Sequence, residues 1–524
     1  MIYTIPHILE KSASLYPQKT AFRFGSEVYT FYDLNTKSNQ LAKYLLDNGV
    51  TKGDRVGIYM HRCLETSLAM YGILKSGAVY VPLDPSAPHK RTRFLIDDCH
   101  IQFLITTDKQ SRKLKKIVNS EVNSIQYIVG IKSNDNPISV NWNYIFSLNL
   151  KAYQKVEVLE NDLAYIMYTS GSTGVPKGIM HTHYSGMAYA KLAARSYDLN
   201  ANDIIANHAP LHFDVSTFAY FGGPLVGATT TIISDAHTKM PVSLAKLIAS
   251  EKVSVWYSVP LALAQLAQTD ILDQYDYSSL RWILFAGEIF TIKHLKKLME
   301  YWPHPRYSNI YGPAETNQCT NYDFDSSTLI KENLPIGKIW GNTEYRIIAD
   351  NGNSVLKGEQ GELVIRSATM MIGYWNNKQL TDLSYYHEYV ADNLKLTFYR
   401  TGDLVKEDED GNLLFLGRAD RQVKIRGYRI ELDEIESVLS QHESVQEAVA
   451  CATQNENGEK LLAAAVILTN GATKTEEDLK GFCRTILPVY AIPSVIKVCE
   501  VFPRTSSGKV NSNTIKKELF VPKL

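Results

Sequence analysis

The chain has 524 residues, too many for a single hydrophobic core, so two or more domains are expected. Hydrophobic residues make up 45% and charged residues 21%, which is typical of a globular protein. Lys+Arg and Asp+Glu both number 55, and this zero net charge argues against bulk attraction to nucleic acid or an anionic membrane.

The N-terminal part of the chain alternates helix and strand patterns. Residues 39–48 predict an amphipathic helix, 55–60 a buried strand, 63–76 a second helix, and 79–85 a strand followed by a turn. This β–α–β rhythm continues to about residue 340. It predicts a mostly parallel sheet with crossover helices.

The pattern changes toward the C-terminus. Residues 361–367 and 398–408 predict short strands, and Asp410-Gly411 is a hairpin signal before a further strand. After Gly417 the chain is highly charged, and a helix is predicted from about Leu432.

These elements predict an α/β protein with two unequal domains. Residues 1–418 form the larger one, built on mostly parallel sheets with crossover helices. Residues 419–524 form a small α+β domain of ordinary size, and a hinge is predicted near residues 418–421.

The N-terminus and the cysteines favour a cytoplasmic location. The chain does not begin with a basic segment followed by an apolar stretch, so we predict no signal peptide. The longest strongly apolar run, residues 461–468, is far short of a membrane span. Six scattered cysteines without a C-x-x-C pair favour reduced thiols over disulfides or a zinc site.

A loop rich in glycine and hydroxyl residues, YTSGSTGVPKG (168–178), follows the strand pattern at 163–168. Its glycines let backbone N–H groups approach an anion, its hydroxyls donate hydrogen bonds, and Lys177 adds positive charge. Lys177 does not directly follow the second glycine, as the P-loop motif requires. A flexible surface loop is the alternative, but the combination favours a phosphate site of another kind.

Three further clusters carry candidate chemistry. In NIYGPAET, Tyr311 could stack on a base and Glu315 could hold Mg²⁺, although a strand ending in a turn is the simpler interpretation. In YRTGDL, Asp403 could accept hydrogen bonds from two ribose hydroxyls, or only cap a turn. Lys509 lies on a Gly/Ser-rich turn, where a lysine is usually solvated.

These clusters, in this order, resemble the adenylate-forming superfamily, which comprises acyl-CoA ligases, luciferases and nonribosomal-peptide adenylation domains. The resemblance covers essentially the whole chain, and several other segments are similar to core motifs of that superfamily: 29–34, 74–85, 361–375, 417–436 and 487–493.

The resemblance implies two half-reactions that use ATP and Mg²⁺. A carboxylate and ATP give an acyl-adenylate and pyrophosphate, and a thiol then forms a thioester. It implies catalytic roles for Lys509, Glu315 and Thr169, with Glu315 as the metal ligand, and a hinge at Asp420 whose rotation would exchange Lys509 for Lys424 at the site. The implied ATP-binding residues are Thr169, Ser170, Gly171, Ser172, Thr173, Gly174, Lys177, Gly287, Asn309, Tyr311, Gly312, Thr316, Asp403, Arg418, Lys424 and Lys509.

Asp214, in LHFDVSTFAY, matches the position where amino-acid-activating members carry a carboxylate for the substrate ammonium; a helix N-cap is the alternative. The implied pocket is apolar and partly aromatic, which disfavours a charged side chain on the substrate. It is similar to that of stand-alone prolyl adenylation enzymes, so L-proline is the predicted substrate. The implied pocket residues are Asp214, Val215, Phe218, Tyr257, Leu284, Ala286, Ile310, Gln318 and Cys319.

The chain ends soon after Lys509, so we expect the thiol acceptor to be a separate phosphopantetheinylated carrier protein, in natural-product biosynthesis such as that of an antibiotic or toxin. No nucleic-acid or membrane partner is expected. Three alternatives stay open: a D-alanine–carrier protein ligase, an acyl- or aryl-CoA ligase, and a catalytically inactive protein that senses ATP or an amino acid.

Overall fold

The fold is described by a computed structural model of the chain. The structure describes residues 2–118, 124–132, 134–135, 137–171, 175–330, 334–454, 460–469, 471–504 and 510–520. Four residues predicted to act in the site lie outside these ranges: Ser172, Thr173, Gly174 and Lys509.

Two nine-stranded sheets, parallel over most of their strands, form the larger part of the described chain. In spatial order, the strands of the first sheet are Lys338–Ile339, Thr320–Phe324, Arg306–Tyr311, Trp282–Ala286, Val255–Ser258, Ile204–Asn207, Thr229–Ile232, Thr20–Phe24 and Glu27–Thr30. Those of the second are Gly373–Tyr374, Lys177–Thr182, Leu163–Thr169, Val79–Pro82, Arg55–Tyr59, Phe103–Thr106, Tyr127–Val129, Ile138–Val140 and Asn134–Asp135.

Crossover helices connect these strands, and several of the strands are buried along their whole length. Trp282–Ala286, for example, is buried at every residue, because a parallel strand packs on both faces. The α-helices of this part are Ile5–Leu15, Phe31–Asp47, Leu64–Lys75, His89–Asp98, Ser111–Val118, Trp142–Ser147, His183–Ser196, Gly223–Val226, Pro241–Ser250, Pro260–Ala267 and Ile292–Tyr301. Short 3₁₀ or π segments are Asp108–Gln110, Phe218–Gly222, His237–Lys239 and Leu272–Gln274.

An antiparallel sheet follows, and it leads into a smaller α+β part. The strands of that sheet are Thr343–Ile348, Gly361–Ser367, Leu394–Glu407, Tyr385–Ala391 and Leu413–Arg418, with the helix Lys378–Leu383 beside it. The smaller part has the strands Gln422–Ile425, Tyr428–Glu431, Val445–Gln454, Lys460–Leu468 and Val495–Val498, and the helical segments Leu432–Ser440, Glu476–Cys483, Val489–Ala491, Ser512–Ile515 and Lys516–Phe520. It has a hydrophobic core of its own, which includes Ile435, Leu479 and Ile496.

The structure confirms the predicted fold class of mostly parallel sheets with crossover helices followed by a small α+β part. Two elements differ in extent from the prediction, and a third was not predicted. The helix predicted at 39–48 begins at Phe31, because Thr30 caps it and accepts a hydrogen bond from the Asp33 N–H. The short strand predicted at 398–408 is part of a longer one, Leu394–Glu407, which pairs on both sides.

The third difference is a hairpin in the charged stretch after Gly417, for which only a later helix was predicted. Strands Gln422–Ile425 and Tyr428–Glu431 pair through a turn at Arg426 and Gly427, whose φ angles of 54° and 78° match the twist of a tight hairpin. We call this element the 422–431 hairpin. Within the described ranges, no helix combines the length and apolar character needed to cross a membrane.

Candidate active site

The predicted phosphate loop joins two antiparallel strands, and Thr169 pairs with Lys177 across them. A Cβ on Gly171 would lie 2.0 Å from a backbone carbonyl oxygen across the loop, so the reversal requires glycine. The Thr169 hydroxyl is buried, without a hydrogen-bond partner among the described residues. An unpaired buried hydroxyl at the base of the loop fits a ligand site, because leaving it unsatisfied costs free energy.

Glu315 is fully buried beside the predicted phosphate loop, and three polar side chains of the described residues contact it. The Tyr374 hydroxyl donates to its Oε1 at 2.7 Å, Lys177 Nζ lies 3.5 Å from the same oxygen, and Arg429 Nη1 donates to Oε2 at 2.6 Å. Burial by itself raises the pKa of Glu315, but Arg429 and Lys177 outweigh it and hold that pKa well below its ordinary value. The carboxylate is therefore an anion held between two cations.

These contacts bear on the prediction that Glu315 binds Mg²⁺. Both carboxylate oxygens already accept a hydrogen bond, one of them from Arg429. No group of three or more potential metal-ligating side chains occurs within the described chain. With the 422–431 hairpin in this position, Glu315 therefore does not fit a divalent cation, because a guanidinium takes up the charge that the cation would balance.

Residues predicted to bind the nucleoside meet at a second cluster. Asp403 accepts hydrogen bonds from the Tyr311 hydroxyl and from Arg418, each at 2.5 Å. Lys424 lies over the Tyr311 ring, 5.4 Å from its centroid. Asn309 is on the same strand as Tyr311 but donates its side-chain amide to a backbone carbonyl, that of residue 335, at 2.7 Å.

Gly287 and Gly312 differ in how closely other backbone approaches them. Gly287 has a φ of 98°, and a Cβ there would lie 3.7 Å from the Cα of Gly427 in the hairpin. A Cβ on Gly312 would lie 2.1 Å from the carbonyl oxygen of Asn317. Thr316 is fully buried and its hydroxyl lies 2.9 Å from the Cys319 sulfur, so it supports the loop.

The predicted hinge residue, Asp420, lies beside the nucleoside cluster. Its carboxylate forms an ion pair with Arg418 at 2.6 Å. Arg418 thus contacts both Asp420 and Asp403, on either side of the predicted boundary between residues 418 and 419. The ion pairs link the segment to the nucleoside cluster, while the hinge itself stays a prediction.

The predicted substrate pocket is built largely from neighbouring parallel strands. Tyr257 is in register with Leu284, and Ala286 with Ile310, near the carboxyl ends of their strands. Phe218 packs edge-on against Tyr257, with ring centroids 5.3 Å apart. These five residues belong to one apolar cluster, and it forms at the sheet edge where ligands of parallel sheets usually bind.

Asp214 and Val215 lie in the turn before Phe218. Val215 packs against the apolar cluster, and its N–H donates to Asp214 Oδ1 at 2.9 Å. Burial, with a smaller contribution from Glu315, raises the pKa of Asp214 to about 6. Among the described residues, no cationic side chain forms an ion pair with Asp214, although Lys424 and Arg429 act on its carboxylate from farther away and lower its pKa in part.

The last two predicted pocket residues, Gln318 and Cys319, contact different neighbours. Gln318 donates its amide N–H to the Tyr197 hydroxyl at 3.0 Å, and its own carbonyl is buried without a partner in the described chain. Tyr197 packs in the same apolar cluster as Phe218. Cys319 instead packs with Tyr311 in a separate cluster, so the structure does not bring it to the apolar wall.

Sequence reasoning included Lys424 in the site but missed two other residues that the 422–431 hairpin brings there. Arg429 contacts Glu315, and its backbone carbonyl accepts a hydrogen bond from Ser170 at 2.8 Å. Tyr428 packs edge-on against Phe213, next to Asp214, at 5.2 Å. The signal that could have found the hairpin is Arg426-Gly427 between two runs with alternating character.

The chain matches known protein families over most of its length. The model of the AMP-binding enzyme family matches residues 9–375, and that of the AMP-binding enzyme C-terminal domain matches residues 434–509. An L-proline–[L-prolyl-carrier protein] ligase from Pseudomonas fluorescens is 30% identical over 97% of this chain and 98% of its own length. Bacitracin synthase 1 from Bacillus licheniformis is 33% identical over 97% of this chain, but the chain spans only 9% of that synthase.

Solved structures share the fold. Amide bond synthetase McbA from Marinactinospora thermotolerans has a TM-score of 0.86 at 20% identity, over 98% of this chain and 99% of its own. The adenylation domain AlmE from Vibrio cholerae, in complex with glycyl-adenosine-5'-phosphate, has a TM-score of 0.84 at 22% identity, over 99% and 98%. With the family models covering both parts of the chain, this protein belongs to the AMP-binding enzyme family and is an AMP-forming ligase.

Proposed function

We propose that this protein activates an amino acid with ATP and passes the aminoacyl group to the phosphopantetheine thiol of a separate carrier protein. In the first step the substrate carboxylate attacks the α-phosphorus, the bond from that phosphorus to the pyrophosphate oxygen breaks, and aminoacyl-AMP forms. In the second step the thiol, after losing its proton, attacks the acyl carbon, and AMP leaves.

The observation that carries this proposal is the Asp214 carboxylate. It lies beside an apolar wall, and the described chain offers it no cationic side chain within ion-pair distance. A buried carboxylate needs a cationic partner, and the α-ammonium of an amino acid supplies one. An acid without an amine would leave this charge unbalanced.

The chain's own residues supply binding and charge for the first step. The Thr169 hydroxyl and Lys177 would hold the phosphates of ATP, and Asp403 would accept hydrogen bonds from the ribose. Tyr311 would contact the base. Lys509, which lies outside the described residues, remains our proposal from sequence for the cation that bridges the substrate carboxylate and the α-phosphate.

We propose Mg²⁺ as the companion ion of ATP, with Glu315 as its residue. The ion would neutralise phosphate charge when bound. Glu315 can accept it only after Arg429 has left the carboxylate, because Arg429 donates to Oε2 at 2.6 Å in the structure described here.

L-Proline is our proposed substrate. The apolar cluster around Phe218, Tyr257 and Leu284 suits a small ring and carries no charged side chain to pair with a charged substrate. The secondary ammonium of proline can still donate two hydrogen bonds to Asp214. The relative from Pseudomonas fluorescens named as an L-proline–[L-prolyl-carrier protein] ligase supports this choice.

A panel of amino-acid-dependent ATP–pyrophosphate exchange assays tests the proposal. We expect one amino acid, L-proline, to dominate a panel that also holds D- and L-alanine, the other amino acids and benzoate. A dominant D-alanine signal would keep the reaction and replace the substrate. Exchange only with amine-free acids would remove the role proposed for Asp214.

The raised pKa of Asp214 predicts how substrate binding depends on pH. The anionic form binds the ammonium, so with a pKa of about 6 we expect KM for the amino acid to be constant at pH 7 to 8. Below the pKa, KM should rise about tenfold per pH unit as the carboxyl takes up a proton. Exchange kinetics between pH 5 and pH 8 measure this, with KM for ATP as the control; a constant amino-acid KM over that range would contradict it.

A further inference from the structure

A buried ion pair joins the large and small parts of the protein. Arg91, in the helix His89–Asp98, donates to Oε1 of Glu434, in the helix Leu432–Ser440, at 2.7 Å. The two side chains are 11% and 3% exposed. The second carboxylate oxygen of Glu434 is buried and has no partner among the described residues, so the charge of Glu434 depends on Arg91.

The helix that carries Glu434 follows directly on the 422–431 hairpin, which lies over the site. The Tyr428 ring stacks on Tyr490 at 3.9 Å and meets Phe213 edge-on at 5.2 Å. A Cβ on Gly427 would lie 2.2 Å from the Val259 side chain, so the hairpin tip sits close against the large part. Fixing the helix therefore fixes the hairpin.

The contacts of the hairpin in this position fit the step after pyrophosphate leaves. Arg429 forms an ion pair with Glu315, which also lies next to Lys177, at the end of the site proposed for the outer phosphates. Lys424 covers the Tyr311 ring. The outer phosphates of ATP and the Arg429 guanidinium compete for one place, whereas an adenylate without those phosphates does not meet Arg429 there.

We propose that Arg91 and Glu434 are positioning residues for thioester formation: their ion pair holds the small part where the hairpin covers the adenylate, and it is not needed for adenylation. This inference rests on the proposed function. Neither side chain is among the residues proposed to contact ATP or the amino acid, so their effect acts through the orientation of the small part.

Charge reversal tests the pair. We expect Arg91→Glu and Glu434→Arg each to lower the single-turnover rate of aminoacyl transfer to a thiol acceptor by about 10-fold or more, since each leaves a buried charge beside a like charge. Pyrophosphate exchange in the same preparations should stay within about twofold, as expected for residues remote from the adenylation contacts. The double variant should recover most of the transfer rate.

The control is Lys90→Glu, which makes the same reversal at an exposed position one residue away in the same helix and should change neither rate. Proportional loss of exchange and transfer in the single variants would overturn the proposal, because it would indicate a general structural role. Unchanged transfer in both would also overturn it. Arg91→Gln, which removes the charge without reversing it, should show the same selective loss if the reversed variants fold poorly.

A distance measurement separates this inference from the proposed reaction. Fluorescent labels at Leu329 and Val501, two side chains with exposed fractions of 84% and 75%, report the placement of the small part without any substrate. We expect Arg91→Glu to broaden the distance distribution and the double variant to restore it. An unchanged distance distribution in Arg91→Glu would overturn this proposal even if the protein activates an amino acid. If no amino acid supports pyrophosphate exchange, only the proposed function is overturned.

Discussion

Replacing Asp214 with alanine is expected to lower kcat/KM for amino-acid-dependent pyrophosphate exchange by about 10²- to 10³-fold. Truncating one partner of a buried charged contact costs about 2–5 kcal/mol, which corresponds to about 30-fold to several thousand-fold and so contains the expected loss. The loss should fall mainly on KM for the amino acid, because the proposed contact is to the ammonium and not to the reacting carboxylate. Steady-state exchange with varied amino acid and saturating ATP measures it.

The matched control is Asp47→Ala. Asp47 forms an exposed ion pair with Lys43 one helical turn away, and such pairs contribute little, so exchange should be unchanged. Amine-free acids of similar shape provide a second check. In Asp214→Ala, their kcat/KM relative to that of amino acids should be higher than in the unaltered protein. Undiminished amino-acid activity in that variant would favour an acyl- or aryl-CoA ligase.

Glu315→Gln is expected to abolish most adenylation and also to destabilise the protein. The substitution keeps the shape of the side chain but leaves Arg429 and Lys177 facing a neutral group at the same place. Removing one partner of a buried ion pair costs about 3–5 kcal/mol, so we expect a clear fall in Tm together with a loss of exchange of about 10²-fold or more. Thermal unfolding and the exchange assay report the two effects separately.

Glu344→Gln is the corresponding control, because Glu344 pairs with Arg366 at the surface, where both side chains are about half exposed. Its Tm should change by little. Arg429→Gln combined with Glu315→Gln completes a double-mutant cycle, and the two changes should be strongly non-additive in stability. Exchange by Glu315→Gln within twofold of the unaltered protein would show that the carboxylate is dispensable for adenylation.

Local patterns predicted much of this fold. The buried strand 163–168 and the glycines after it led to the phosphate loop, and the apolar spacing from Leu432 led to a helix that the structure contains. These features depend on residues close in sequence, whose periodicity reports burial directly. The parallel sheets followed from the same rhythm of strands and helices.

Contacts between residues far apart in the sequence could not be predicted in this way. Arg91 and Glu434 are 343 residues apart, and their contact depends on how the large and small parts meet. Gln318 and Cys319 illustrate a smaller limit. They are adjacent in the chain, yet Gln318 reaches Tyr197 and Cys319 packs with Tyr311, and their local sequence pattern does not indicate which neighbours their side chains meet.

The Arg429–Glu315 contact bears on the reversibility of the proposed reaction. In the proposed reaction, released pyrophosphate can reverse adenylation only by returning to the phosphate loop. With the hairpin in place, Arg429 pairs with Glu315 beside that loop, and the Ser170 hydroxyl donates a hydrogen bond to the backbone carbonyl of Arg429. Pyrophosphate therefore cannot bind while the hairpin is in the position proposed for transfer to the thiol. A carrier protein that favours the covered arrangement would shield the adenylate from pyrophosphate, so inhibition by pyrophosphate should weaken as the carrier concentration rises.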